Sequence, residues 1–265
     1  MTEQLRRLHD RRHLIWALAK REVLDRYAGQ AFGRFWAIGH PLLLMAVYLF
    51  VFGYVFRMRI GGTRELPLDY TTYLLSGLMP WLGMAEALNK APVAITNNAS
   101  LVKQVVFPLE VLPIKGALAS LLPQCVSLVV LMIYVLVTYR MLPATYMLLP
   151  VLIIIQFAIM VGVSLLLSAI GVYIRDLKDV VQVAMLIGVY LLPIFYLPSM
   201  VPAMFRPIIY LNPLAHLIWC YQDALYFGRI AHPVSWAVTV LTGVIAVSAG
   251  WRLFNRLKLM FGNVL

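Results

Sequence analysis

Apolar positions in this chain fall into six long runs separated by short polar or charged intervals. The runs cover residues 35–56, 70–88, 111–137, 147–172, 180–197 and 234–253. A helix needs about 20 predominantly apolar residues to cross a bilayer. The pattern therefore predicts an all-α integral membrane protein with six transmembrane helices. The third and fourth runs exceed the minimum and can tilt. Pro41, Pro123 and Pro150 lie inside or near run ends, where neighbouring helices can satisfy the freed carbonyls. Ahead of the first run, residues 14–28 read as an N-terminal interfacial helix. Trp16, Ala19, Val23 and Tyr27 share one face, and Arg21 with Asp25 and Glu22 with Arg26 are spaced as i,i+4 pairs. A short solvated helix is the alternative. The domain plan is then a cytoplasmic N-terminus (1–34), a membrane domain (35–254) and a short tail (255–265).

One stretch breaks the simple pattern. Pro193, Pro198, Pro202, Pro207 and Pro213 interrupt a region that stays apolar, and Arg206 is the only formal charge between Val180 and Gln222. A single helix cannot carry five such breaks, since each proline lacks the donor N–H and clashes with the preceding turn. Backbone that is apolar, aromatic and broken fits re-entrant helices over about 198–227, tolerated at membrane depth when buried in protein or lining a cavity. Residues 214–227 carry Asp223 and are too short and polar for a seventh span.

Composition supports the membrane reading: 62% of residues are hydrophobic, and mean hydropathy is +0.85. The net charge of +11 would point to nucleic acid in a soluble protein. Here its distribution reports topology. With six spans, 16 of the 22 basic residues fall on one side, leaving Arg57, Arg59, Arg64, Arg140, Arg206 and Arg229 on the other. The positive-inside rule then makes both termini cytoplasmic and the proline-broken segment external. No small-residue cleavage site follows the basic N-terminal stretch, so a cleaved signal peptide is not expected.

The usual catalytic signatures are missing. There is no phosphate-loop motif, no HExxH and no G-x-S-x-G, so no catalytic residue and no metal site is assigned. His40, His216 and His232 are scattered and read as satisfied interfacial histidines. Cys125 and Cys220 read as inert thiols. Glu86 and Glu110 fall at span ends and read as facing the interface, which gives ion coupling little support.

Two other groups of residues carry more information. Tyr48, Phe52 and Phe56 recur every four residues, and Tyr190 and Tyr196 follow in the fifth run. Such rings offer flat faces and polar handles to a passing chain, or form ordinary interfacial belts. Between the second and third runs, Asn98 or Ser100 can cap a short helix over about 98–107. Its Leu101, Val102, Lys103, Val105 and Phe107 make an apolar contact surface for lipid or a partner.

The chain resembles the membrane (permease) subunit of type 2 ABC exporters of the polysaccharide-export family. The resemblance rests on Lys20-Arg21-Glu22-Val23-Leu24-Asp25-Arg26-Tyr27 with Gly33, Trp36 and Pro41, and on the loop from Asn98 to Pro113. Tyr173-Ile174-Arg175-Asp176-Leu177, Pro193-Ile194-Phe195-Tyr196 and Leu211-Asn212-Pro213-Leu214 complete it. These markers run from about residue 13 to 261, and their order and spacing are the specific feature. The coupling loop and the residues after Pro213 are closer to the O-antigen or teichoic acid type than to the capsule type.

The resemblance implies a homodimer in the bacterial inner membrane, joined to two copies of an ABC ATPase that binds the ATP and magnesium. It implies a polysaccharide linked to undecaprenyl diphosphate as cargo, no cofactor in this chain and no nucleic acid. It places the ATPase-coupling contact on Leu101, Val102, Lys103, Val105 and Phe107. Two outer re-entrant helices, about 199–210 and 213–227, would close the pathway, with Pro198, Pro202, Asn212, Pro213, Trp219 and Tyr221 forming an outer gate. Arg21, Arg26 and Arg34 would meet the lipid diphosphate as fixed cations, the alternative being positive-inside anchoring. Tyr48, Phe52, Phe56, Tyr190 and Tyr196 would line the conduit. The rivals are a permease for a drug or small lipid, and a membrane-bound glycan-modifying enzyme, which would need a polar catalytic cluster.

Overall fold

A computed structural model describes residues 11–26, 29, 33–55, 68–100 and 107–264. The described chain is helical. In order it contains α1 (Arg12–Arg26), α2 (Trp36–Tyr48), α3 (Tyr70–Lys90), α4 (Val111–Tyr139), α5 (Leu149–Gly171) and α6 (Leu177–Leu191). Then come α7 (Arg206–Tyr210), α8 (Pro213–Gln222), α9 (Pro233–Leu257) and α10 (Phe261–Val264). By length and composition, three described helices can cross a membrane: Val111–Tyr139, Ala144–Gly171 and Pro233–Met260.

The most closely packed pair is α5 with α9, and small residues make it possible. A Cβ at Gly162 would lie 2.2 Å from the Ala246 carbonyl carbon, and one at Gly250 would lie 2.1 Å from the Gly162 oxygen. Lipid tails are as apolar as leucine, so helices in a bilayer associate through such close backbone packing rather than through a hydrophobic drive. The α3 and α4 pair is joined differently. Asp69 adopts extended backbone and its carboxylate accepts from the Thr72 amide at 3.3 Å, capping α3. The same carboxylate accepts from Tyr134 Oη at 2.8 Å, while the Asp69 amide donates to Tyr139 Oη at 2.8 Å. Two tyrosines near the end of α4 thus fasten the start of α3.

The fifth apolar run behaves differently from its predicted bounds. Its helix, α6, starts at Leu177 and ends at Leu191, not Leu197. Pro193 is the cause: the residue before a proline is pushed out of the helical region, and Leu192 is extended at φ −104°, ψ 151°. Fifteen residues span about 22 Å, and of the α6 side chains only Val181 is buried. Beyond the prolines, Asn212 caps α8 by accepting from the Leu214 amide at 3.0 Å, with Pro213 at the first helical position. A π-helical turn (Asp223–Phe227) continues α8 and ends at Gly228, whose φ of 63° suits glycine.

Two sequence readings need correction. On α1 the packed residues are Ile15 and Ala19, whereas Trp16 is 56% exposed. The stripe is rotated because α1 lies on α4, where Glu22 meets Lys115 at 3.5 Å. Glu110 does not face out: it is buried and accepts from Arg11 at 2.8 Å.

Candidate functional site

Aromatic rings from three parts of the chain converge beside the broken stretch after α6. Tyr48, at the end of α2, stacks on Phe52 with centroids 6.1 Å apart and planes 14° apart. Phe52 sits on a π-helical turn (Leu49–Val55) that continues α2, a geometry frequent at functional sites. Phe52 contacts Phe195 at 5.7 Å, and Phe195 stacks on Tyr190 at 5.7 Å. Tyr48, Phe52 and Tyr196 are half-buried, and Tyr190 is 65% exposed. The structure therefore brings four predicted conduit residues, Tyr48, Phe52, Tyr190 and Tyr196, to one open aromatic face. Phe56 lies outside the described residues.

This face rests on backbone that is not helical, and its carbonyls have partners. Tyr73 Oη donates to the carbonyls of Pro193 at 3.0 Å and Tyr196 at 3.1 Å. Tyr70 Oη donates to the Phe195 carbonyl at 3.0 Å, and Gln222 Nε2 donates to Pro193 at 2.8 Å. Tyr196 Oη reaches back to the Tyr190 carbonyl at 3.0 Å. An unsatisfied carbonyl in an apolar medium costs several kcal/mol, so these donors hold the turn in place. Sequence reasoning missed Tyr70 and Tyr73. Their spacing of three on α3 puts them on one face, but their acceptors lie more than a hundred residues away.

The six predicted gate residues fall into three pairs. Pro198 opens a short turn (Pro198–Met200) and Pro202 follows it; Arg206 ties this stretch down, donating to the carbonyls of Val201 at 2.9 Å and Ser199 at 3.2 Å. Asn212 and Pro213 start α8. Trp219 and Tyr221 point into the subunit and are almost fully buried. Trp219 lies on His232 at 5.5 Å with planes 10° apart. Tyr221 Oη donates to Gln156 Oε1 at 2.5 Å within a buried polar cluster. In that cluster Gln124 and Gln156 exchange amide bonds at 2.7 and 2.9 Å, and Gln156 Nε2 also donates to the Pro80 carbonyl at 2.9 Å.

Buried Asp223 accepts from the His232 amide at 3.0 Å, His232 Nδ1 at 2.8 Å and Trp236 Nε1 at 3.1 Å. These bonds join the end of α8 to the start of α9. His216 bonds Ser235 and the Tyr210 carbonyl, both at 2.9 Å. Neither histidine gathers metal ligands: among the described residues no group of three or more His, Cys, Asp or Glu forms.

At the other end of α3 the charges are paired. Lys90 lies 2.8 Å from Glu86 and 3.9 Å from Glu22. Arg21 is exposed and pairs with Asp25 at 3.4 Å. The side chains of Arg26 and Arg34 lie outside the described residues, as do Leu101, Val102, Lys103 and Val105. Before that loop the chain makes two short turns, Ala91–Val93 and Thr96–Asn98. After it, Phe107 is half-buried and packs on the core.

A family profile described as "ABC-2 type transporter" matches residues 13–226. The chain is 29% identical over 254 residues to an O-antigen export system permease protein, RfbA, of Klebsiella pneumoniae, covering 95% of each chain. It is 27% identical over 266 residues to the protein of the same name from Myxococcus xanthus, covering 99% of each. A polysialic acid transport protein, KpsM, of Escherichia coli is 22% identical over 248 residues, covering 90% of this chain and 91% of that one.

Proposed function

The chain belongs to the ABC-2 type transporter family, and from that premise we propose that it is the channel-forming permease of an ATP-driven surface-polysaccharide exporter. The observation that carries this reading is the end-to-end likeness to O-antigen export permeases, 95% or more of each chain. A chain matched over its whole length shares architecture rather than one module. The O-antigen type is preferred to the capsule type because the O-antigen relatives are 27–29% identical and the polysialic acid and capsule export relatives 22–25%.

In this reading the chain crosses the inner membrane six times with both termini cytoplasmic, works as a homodimer, and takes its energy from two copies of a separate ATPase. Its cargo is a polysaccharide on undecaprenyl diphosphate, met at the inner leaflet by Arg21, Arg26 and Arg34. The ATPase docks on the loop containing Leu101, Val102, Lys103, Val105 and Phe107. Its push travels through the turn Ala91–Val93, which abuts α5 at Gly171, into the close-packed α5 and α9 pair. The aromatic face of Tyr48, Phe52, Tyr190 and Tyr196 suits a sugar chain, because flat rings bind sugar faces without fixing one register. The segment over about 198–227 closes the outer end.

The test is loss of the gene in its native host. Lipid-linked polymer should accumulate inside, surface polysaccharide should vanish, and a plasmid copy should restore it. Normal surface polysaccharide in the deletion strain would refute the reading. Topology is tested separately with single cysteines in a cysteine-free background. Position 199 should react with an impermeant thiol reagent from outside, and position 100 only after permeabilisation. Labelling of position 100 in intact cells would overturn the six-span arrangement.

A further inference from the structure

A groove of about 600 Å³ runs between α1, α4 and α5 and shares no residue with the aromatic face. Its size falls in the range of about 300–1,000 Å³ usual for small-ligand sites. Ile154, Phe157, Ala158 and Val161 line it at i, i+3, i+4 and i+7, one face of α5, and Ile114 and Leu118 lie one turn apart on α4. The two helices run antiparallel across a short connection, and the bonds between Gln124 and Gln156 set them level. From Ile114 to Ile154 the groove therefore follows the pair for about 18 Å. Both helices belong to segments long and apolar enough to cross a membrane, and Ile154 and Trp16 on the groove are exposed. An apolar trench of this length and direction, open to the bilayer, suits an acyl chain.

One end of the groove carries the charge. Of its eleven described lining residues nine are apolar, and the other two, Arg12 and His13, are neighbours at the start of α1. Arg11 meets Glu110 at the foot of α4 at 2.8 Å, which puts Arg12 and His13 at that end rather than beside Ile154. Both are exposed, so a headgroup can reach them. Arg12 Nε donates to His13 Nε2 at 3.5 Å. The acceptor is an imidazole and not a carboxylate, so the pair keeps its positive charge. Among the described residues no carboxylate lines the groove, and nothing there would favour an ammonium. A guanidinium beside an imidazole matches the oxygens of a phosphate. Arg21, assigned above to the cargo, lies about 14 Å further along α1.

We propose that this groove binds an anionic phospholipid of the bilayer, with its phosphate on Arg12 and His13 and one acyl chain along Ile154, Phe157 and Ala158. Bound there, the lipid ties the start of α1 to α4 and α5, independently of the cargo.

Phosphatidylglycerol and phosphatidylcholine share the phosphate, but only the second carries a cation beside it, and this difference is the test. The delipidated transporter, purified through this chain, is titrated with each lipid, acyl chains matched, and the first lipid bound per chain is counted by native mass spectrometry. Wild type should prefer phosphatidylglycerol about fivefold, the effect of one basic residue near an anionic headgroup. Arg12→Gln, at an exposed position that leaves the fold intact, should abolish that preference. Ala158→Phe, which fills the groove, should weaken binding of both lipids. Location is read separately. Phosphatidylglycerol brominated on its acyl chains should quench tryptophan fluorescence, and Trp16→Phe should remove most of that quenching. Equal binding of the two lipids by wild type would overturn the proposal without recourse to any variant. An unchanged preference in Arg12→Gln, unchanged binding in Ala158→Phe or undiminished quenching in Trp16→Phe would do so too. Displacement of phosphatidylglycerol, one for one, by undecaprenyl diphosphate would assign the groove to the cargo and overturn it as well.

Discussion

Gly171, at the end of α5, lies directly on the carbonyl oxygen of Pro92: a Cβ at Gly171 would stand 2.0 Å from that oxygen. The contact joins the turn Ala91–Val93 to the helix that packs most closely with α9. Both partners are backbone, so no rotamer change can relieve a larger side chain. Gly171→Ala should therefore cost about 1–3 kcal/mol through overpacking. It should lower the melting temperature of the purified complex, and Gly171→Val should lower it further. Gly262→Ala, with nothing within 4 Å of the added carbon, is the control. If the contact also transmits the ATPase stroke, Gly171→Ala should raise the ATP hydrolysed per polymer exported. A wild-type melting temperature in both Gly171 variants would show that the contact yields freely.

The buried glutamines allow a second prediction. Gln156→Leu leaves the Pro80 carbonyl, the Gln124 amide and the Tyr221 hydroxyl short of a partner in an apolar interior. A single buried polar group stranded in this way costs about 1–3 kcal/mol. Replacing both Gln124 and Gln156 by leucine removes both halves of the exchange, so the double variant should lose less than the sum of the singles. Melting temperatures of the four proteins, compared as a cycle, decide this. Strict additivity would mean that the two amides do not support one another.

The aromatic face separates two explanations of the same rings. Replacing Tyr48, Phe52 and Tyr190 by leucine retains apolarity and most of the volume, so assembly should survive. Export should nevertheless fall several-fold, because leucine has no flat face for a sugar ring. Tyr196 should be left intact, since its hydroxyl holds the Tyr190 carbonyl. The measurement is surface polysaccharide per assembled complex. Normal export from the triple variant would leave these rings as packing alone.

Docking of the ATPase is tested at the loop. Leu101→Asp combined with Val105→Asp places two charges on the proposed apolar contact and should reduce co-purification of the ATPase at least tenfold. The subunit by itself should show no ATP hydrolysis. Unchanged co-purification, with unchanged ATPase activity of the complex, would move the docking site elsewhere.

Hydrophobic periodicity was enough to read the helical membrane class, the three longest spanning helices and the break after α6, because each follows from the local chain. Five prolines in an apolar region cannot form one helix whatever surrounds them, and Pro193 stopped α6 through a clash with the residue before it. Helix length and burial in lipid are likewise properties of a segment. Tertiary structure alone decided which side of each segment met what. Tyr70 and Tyr73 read as two more apolar positions until the fold set their hydroxyls against carbonyls more than a hundred residues away. Trp219 and Tyr221 read as outer-gate aromatics; α8 folds back into the bundle and buries both, while α6 leaves Tyr190 open. Glu110 read as an interfacial acid until α1 brought Arg11 to it. Periodicity assigns a face to a helix but not the neighbour that covers it. That choice depends on contacts between distant segments, such as the glycine-to-backbone packing of α5 on α9 and of Gly171 on Pro92.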